Sequence, residues 1–164
     1  MRYWFDADVF IHSHSFPYPI GIANGFWLWM DKMVGGGTIV STRRIFNEVI
    51  KSRKRDDPLL LWMKRHEKRG LCIQPTSDVN DVARQIGDYV FSAKRYPNYQ
   101  RLDFSRGGDA WLIAAAKADT GTVVSRESDK KPGSTKVRIP DICDVIGVRC
   151  RTLDQVIREI PAKF

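Results

Sequence analysis

Long apolar runs are missing from this chain. No stretch of its 164 residues approaches the ~20 that a membrane helix needs. The opening Met1-Arg2-Tyr3 leads straight into a short apolar stretch, where a signal peptide would place a basic start and a longer apolar block. Cysteine is scarce: Cys72, Cys143 and Cys150 make an odd count with no CxxC pair. That excludes a zinc ribbon and a disulfide framework and leaves buried structural thiols. Histidine is equally scarce. His12 and His14 stand in an HSH triplet with no third His at ligand spacing, so the triplet reads as a polar loop. Internal repeats, low-complexity tracts and linkers are also missing, which leaves one domain over residues 1–164, expected in the cytoplasm. Negative charge is the minority sign. Lys and Arg total 27 against 19 for Asp and Glu, a net charge of +8 and a pI near 9.6. Such a surplus favours a polyanionic partner.

What is present is enough apolar residue for a core, 43% of the chain, arranged as short runs between helical patterns. The runs are Tyr3–Phe5, Thr38–Val40, Leu71–Ile73, Thr122–Val124 and Val148–Cys150. Between them lie helical stretches: an aromatic one from Asn24 or Gly25 carrying Trp27 and Trp29, and one from Ser41 or Thr42 to about Ser52. Others open at Asp57-Pro58, at Ser77 or Asp78, and at Asp109, with a last one over Leu153–Ile160. Residues Tyr96–Gly108 show no clear period and read as a long loop that interleaves aromatics with arginines, as single-strand-binding surfaces do. Strands alternating with helices predict an α/β fold: a three-layer α/β/α sandwich around a central, mostly parallel sheet.

Four acids recur at comparable places in that pattern. Asp6 and Glu127 follow apolar strands, Asp109 opens a helix, and Glu48 sits on the helix after the second strand. On that helix Ile45, Phe46, Val49 and Ile50 fill one arc at about 100° per residue, and Glu48 lies just beyond its edge. Carboxyl ends of parallel strands converge on one edge of a sheet. Carboxylates gathered there raise each other's pKa unless a cation joins them, and hard oxygen donors select Mg²⁺ or Mn²⁺. Taken singly, each acid also has an ordinary account: Asp6, Asp8 and Asp109 as helix caps and Glu48 as a surface residue. Basic runs at Lys51, Arg53, Lys54 and Arg55, and at Lys130 and Lys131 onward to Arg138, are candidate phosphate contacts.

The segments carrying these acids resemble the PIN-domain nucleases. FDADVFI resembles the opening strand of that family, with Asp6 as its first acid and Asp8 where Asn is usual. FNEVI around Glu48 looks like the second motif and GGDAWLIAAAKA, with Asp109, like the third. TVVSRES looks like the fourth, with Ser125 at the hydroxyl position and Glu127 where Asp is commoner. KVRIPDIC and the aromatic helix match a prokaryotic branch of the family. The resemblance implies a Mg²⁺- or Mn²⁺-dependent ribonuclease, similar to the VapC toxins, that hydrolyses RNA phosphodiester bonds and is held inactive by an antitoxin. It implies Asp6, Glu48 and Asp109 as metal ligands, Glu127 or Asp129 as a further one, and Ser125 as an orienting hydroxyl. RNA and a cognate antitoxin are the implied partners, and a homodimer is allowed.

Two other readings compete. DADV also fits the DxDx(T/V) signature of haloacid-dehalogenase-like phosphatases, with Asp6 as nucleophile and Asp8 as general acid. Their last acidic motif follows a hydrophobic strand, whereas Asp109 follows Ser105-Arg106-Gly107-Gly108. A non-catalytic basic RNA-binding module is the alternative outside the enzymes, and it predicts RNA binding without cleavage.

Overall fold

Five strands form one sheet: β1 Tyr3–Phe5, β2 Ile39–Thr42, β3 Cys72–Ile73, β4 Thr122–Val124 and β5 Arg149–Arg151. β2 runs on past its expected end into Ser41 and Thr42. β5 lies one residue later than expected, on an Arg-Cys-Arg stretch at the sheet edge. The structure is a computed structural model describing residues 1–51, 53–127 and 129–160. The strand order is β3-β2-β1-β4-β5 and every neighbouring pair is parallel. Parallel neighbours need crossover connections, and helices supply them. α1 Ala7–Ser15 and α2 Asn24–Gly35 lie between β1 and β2. α3 Arg43–Ile50 and α4 Pro58–His66, with a π-type turn Glu67–Leu71, lead to β3. α5 Ser77–Ser92, α6 Asn98–Arg106 and α7 Asp109–Ala118 lead to β4. α8 Ile139–Ile146 precedes β5, and α9 Leu153–Glu159 follows it. The chain is thus α/β with an all-parallel sheet, consistent with a three-layer α/β/α sandwich.

Successive strand side chains point to opposite faces, and the two faces are filled differently. Phe5 meets Phe10 of α1 with ring centroids 5.6 Å apart. Phe10 meets Trp62 of α4 at 6.0 Å, and Trp62 meets Trp27 of α2 at 5.0 Å. The aromatic helix is therefore core packing on this face. Trp4 points the other way, where its Nε1 donates to Asp119 just past α7 at 3.1 Å. α7 carries Ala114, Ala115 and Ala116, all buried, and these small side chains let it lie close on β1, β2 and β4.

Helix starts follow local chemistry. Thr42 caps α3 by accepting from the Ile45 N–H at 3.2 Å. Asp57 caps α4 through the Leu59 and Leu60 N–H groups, with Pro58 at the first helical position. Thr152 and Gln155 form a capping box on α9.

Two expectations change. Tyr96–Gly108 is not a loop: Asn98–Arg106 is helical. Only Phe104 of its nine residues is buried, so it shows no apolar stripe, and tertiary bonds hold it. Arg101 donates to the Ala93 carbonyl at 3.0 Å, and Gln100 accepts from the Val137 N–H at 3.3 Å. Tyr96 is buried and accepts from Arg95 at 2.6 Å, so it is no open stacking platform. His12 and His14 lie in the last turn of α1 rather than in a loop. The end of the α3 stretch at Ser52 lies outside the described residues.

Candidate active site

The chain order reverses between β1 and β4. From β1 it winds outward through β2 to β3, then returns to β4 on the other side of β1. The carboxyl edge at such a reversal is where open α/β sheets place their ligand crevices. Phe5 pairs with Val124 in register, so the next residues, Asp6 and Ser125, leave the edge side by side. The Asp6 N–H donates to the Val124 carbonyl at 3.0 Å and the Ser125 N–H to the Arg151 carbonyl at 3.0 Å.

Asp6 is both helix cap and buried acid. Its Oδ1 accepts from the Ala7 N–H at 2.6 Å as the cap of α1, and the residue is only 7% exposed. Asp8 lies exposed in the first turn of the same helix. Asp109, by contrast, caps nothing: Gly108 holds the N-cap position of α7 and Asp109 is the first helical residue. Its carboxylate near the positive end of the helix is still favourably placed.

Glu48 reaches Asp109 because two helices pass closely at a glycine. A Cβ on Gly108 would stand 2.6 Å from Ile45 Cδ1 and 3.5 Å from Glu48 Oε2. Ile45, Phe46 and Val49 are buried, which fixes the face of α3 and turns Glu48 to its rim.

Glu127 is differently occupied. Its Oε2 accepts from the Ile139 N–H at 2.9 Å and its Oε1 from Lys136 Nζ at 3.2 Å. It serves as the acceptor for the start of α8, whose N-cap residue Arg138 makes no side-chain cap bond. Ser125 is buried, and its Oγ accepts from the Glu127 N–H at 3.2 Å, tying off the turn that carries Glu127. Asp129 is exposed.

The acids feel one another. Burial, then the charge of Asp109, raises the Asp6 pKa well above the usual range; the Ala7 N–H opposes this, and Asp8 and Glu48 add to it. Burial, followed by the charges of Glu48, Glu127 and Asp8, pushes Asp109 up to about 7, with Lys136 acting the other way. Glu48 is raised by burial and by Asp8. Asp6, Asp8, Glu48 and Asp109 thus share one field, and Glu127 joins it through Asp109.

The donor chemistry fits a hard divalent cation: carboxylate oxygens, mutually repelling, part of them shut away from water. Among the described residues no three His, Cys, Asp or Glu side chains stand close enough to enclose an ion as placed. Closure would therefore need side-chain rotation, for which the exposed Asp8 and the rim residue Glu48 have room. Asp8 is the acid that sequence reasoning left out of the ligand set, although its place two residues after Asp6 made it legible. Lys136 lies within the basic run already read as a phosphate contact, and its pairing with Glu127 is what the sequence does not record.

The basic residues divide. Lys51, Lys54 and Arg55 are exposed. Arg53 is spent on structure, donating to the Val49 carbonyl at 2.9 Å and to Asp57 at 2.9 Å. Lys130 pairs with Asp144, and Lys131 is exposed, its N–H held by Asp141 at 2.7 Å. A cleft of about 690 Å³ runs from Glu48 past Arg53 and Lys54 to Asp57. All three cysteines are free thiols; Cys143 is buried and the other two half-buried. Among the described residues no helix is long and apolar enough to cross a membrane.

Residues 3–164 match the model of a family described as a domain of unknown function, DUF4411, and the chain belongs to that family. No curated protein matches it.

Proposed function

We propose that this DUF4411 chain is a Mg²⁺- or Mn²⁺-dependent ribonuclease that hydrolyses RNA phosphodiester bonds at the edge between β1 and β4. The observation that carries this reading is the gathering of Asp6, Asp8, Glu48 and Asp109 at one sheet edge, where burial first, and then the charges of Glu48, Glu127 and Asp8, push the Asp109 carboxyl to about 7. Burying like charges together costs stability unless a cation or a proton joins them. A divalent ion held there would supply an activated water and stabilise charge on phosphate oxygens.

In this proposal Asp6, Glu48 and Asp109 hold the ion and Asp8 completes the set. Glu127 has a different part: it fixes the first turn of α8 and keeps Lys136 at the rim, where the ammonium can hold a substrate phosphate. Ser125 acts through Glu127 by tying off its turn. The cleft from Glu48 toward Lys54, with Lys51 and Arg55 exposed nearby, gives the strand a basic path away from the acids. The resemblance to VapC-like proteins supports a cytoplasmic toxin with an antitoxin partner.

The test is incubation of the full chain with a defined RNA pool, with and without Mn²⁺, followed by mapping of the new ends. Metal-dependent cleavage lost in Glu48→Gln and Asp109→Asn supports the reading. RNA binding with no cleavage under any divalent ion leaves a binding module instead, and a phosphoaspartate trapped at Asp6 would make it a phosphatase.

A further inference from the structure

On the face of the sheet opposite the aromatic core lies a second cavity of about 440 Å³. That is within the range of about 300–1,000 Å³ common for small-molecule sites. The sheet supplies its floor through Trp4, Thr42 and Ile73; α7 supplies one wall with Trp111, Ala115 and Ala118, and α5 the other with Val79 and Asn80. The base of the cavity is fixed by packing: Trp4 of the floor is 2% exposed and Val79 of the α5 wall 5%.

The charged groups of the lining are of one prevailing sign. Arg2, Arg43 and Arg44 line the cavity against a single acid, Asp119. Arg2 is paired with Asp119 at 3.0 Å, and Arg43 with Glu67 at 2.5 Å. Arg44 makes no ion pair among the described residues. It lies exposed, with its guanidinium over the Trp111 ring, 4.5 Å from the centroid. A guanidinium stacked on an indole is held flat and keeps its N–H edge free to donate. Gln74 and Asn80 add amides at the mouth, each able both to donate and to accept.

We infer that this cavity binds a nucleoside monophosphate: the base seated on the apolar floor against Trp111, its edge met by Gln74 and Asn80, its phosphate held by Arg44. A flat aromatic ring suits a slot walled by Trp111 and floored by Trp4. A phosphate suits an unpaired, pre-oriented guanidinium. The amides suit a ring that carries donors and acceptors along its edge. The site is separate from the acid cluster, though it shares α3 and α7 with it. Arg44 precedes Glu48 by one turn of α3, and Trp111 follows Asp109 on α7. The inference stands whether or not the acids cut RNA.

Titration calorimetry on the full chain tests it, with AMP, GMP, CMP and UMP as the probes. Adenosine, ribose 5-phosphate, inorganic phosphate and indole-3-acetate serve as comparisons. Saturable binding of at least one nucleotide is expected. Adenosine and ribose 5-phosphate should each bind about tenfold or more weakly, the scale of one lost charge-assisted bond or one lost stack. Arg44→Ala should weaken the nucleotide about tenfold and leave adenosine unchanged. Ala118→Trp, an exposed rim position, should block the cavity without touching the core. Asp109→Asn should leave nucleotide binding intact, which keeps failure of this site distinct from failure of the nuclease reading. No binding by any of the four nucleotides would overturn the inference. So would undiminished binding by a folded Arg44→Ala protein, or indole-3-acetate binding as tightly as the nucleotides.

Discussion

The sharpest consequences at the scale of single residues come from two buried groups with opposite responses to pH. The Asp109 carboxyl is raised to about 7 by burial and by its acidic neighbours. Between its ordinary value and 7 the native state holds a proton that the unfolded chain has released. Its contribution therefore falls as pH rises through that window. In metal-free protein Asp109→Asn should relieve this cost and raise the melting temperature at pH 8, at about 1.4 kcal/mol per pKa unit of relief. The helix-dipole loss is smaller, about 0.5 kcal/mol. At pH 4 the gap should close. His66 responds the other way. It is fully buried, with Nε2 at 2.7 Å from Asp31 and Nδ1 without a hydrogen-bond partner among the described residues, and burial lowers its pKa. Below pH 6.5 the unfolded chain takes up a proton before the native state does, so stability falls as pH falls. Removing the Asp109 contribution and keeping that of His66, Asp109→Asn should move the pH of highest melting temperature upward relative to the wild type. An Asp109→Asn protein no more stable than wild type at pH 8 without metal would remove the mutual repulsion from which the site is argued.

Among the elements, the contact of α3 with α7 sets the distance between Glu48 and Asp109. Gly108 is a point of close approach, since a Cβ there would meet Ile45 Cδ1 at 2.6 Å. Gly108→Ala should cost about 1–3 kcal/mol of stability, as overpacking does. It should also part the two helices, so that metal-dependent cleavage falls more than the change in melting temperature explains. Equal cleavage by a folded Gly108→Ala protein would show that the approach serves packing alone. The turn from Glu127 to α8 makes a similar case. Glu127→Gln keeps an oxygen for the Ile139 N–H and releases Lys136, so it should fold normally and lose less cleavage than Glu48→Gln. A loss as deep as that of Glu48→Gln would make Glu127 a ligand after all. Much of this was legible in the chain. The central strands β1 and β4 are buried, largely apolar runs, and caps such as Thr42 and Asp57 announce themselves by residue type. α6 was not legible, because Phe104 is its one buried residue and its other ties reach Ala93 and Val137. Nor was the hold of Ile139 on Glu127, which joins residues 12 apart through a backbone N–H that no side-chain pattern records.

At the scale of the whole molecule the governing quantity is the net charge of +8 and where it is free to act. Ion pairs and hydrogen bonds occupy part of it. Arg53 is fixed on Asp57, Lys130 on Asp144, Arg149 and Arg151 on Glu159, and Arg95 on Tyr89, Tyr96 and the Pro132 carbonyl. The run from Lys51 to Arg55 therefore does not act as four equal contacts, as its sequence alone suggested. Lys51, Lys54 and Arg55 are exposed, whereas Arg53 braces the connection of α3 to α4. The two kinds of cation separate in a salt titration. For single strands the logarithm of the binding constant falls with the logarithm of salt with a slope of about −0.7 per phosphate neutralised. Replacing Lys51, Lys54 and Arg55 together with Ala should flatten that slope by about 2 and weaken binding at low salt. Arg53→Ala should instead lower the melting temperature while leaving the slope nearly unchanged. Both should be measured with Ca²⁺ in place of Mn²⁺ and Glu48→Gln as the background, so that cleavage does not blur the binding curve. An unchanged slope in the triple variant would take the strand away from the cleft beside Glu48. Lys131 and Lys136, on the opposite flank of the acids, would then be the residues to replace.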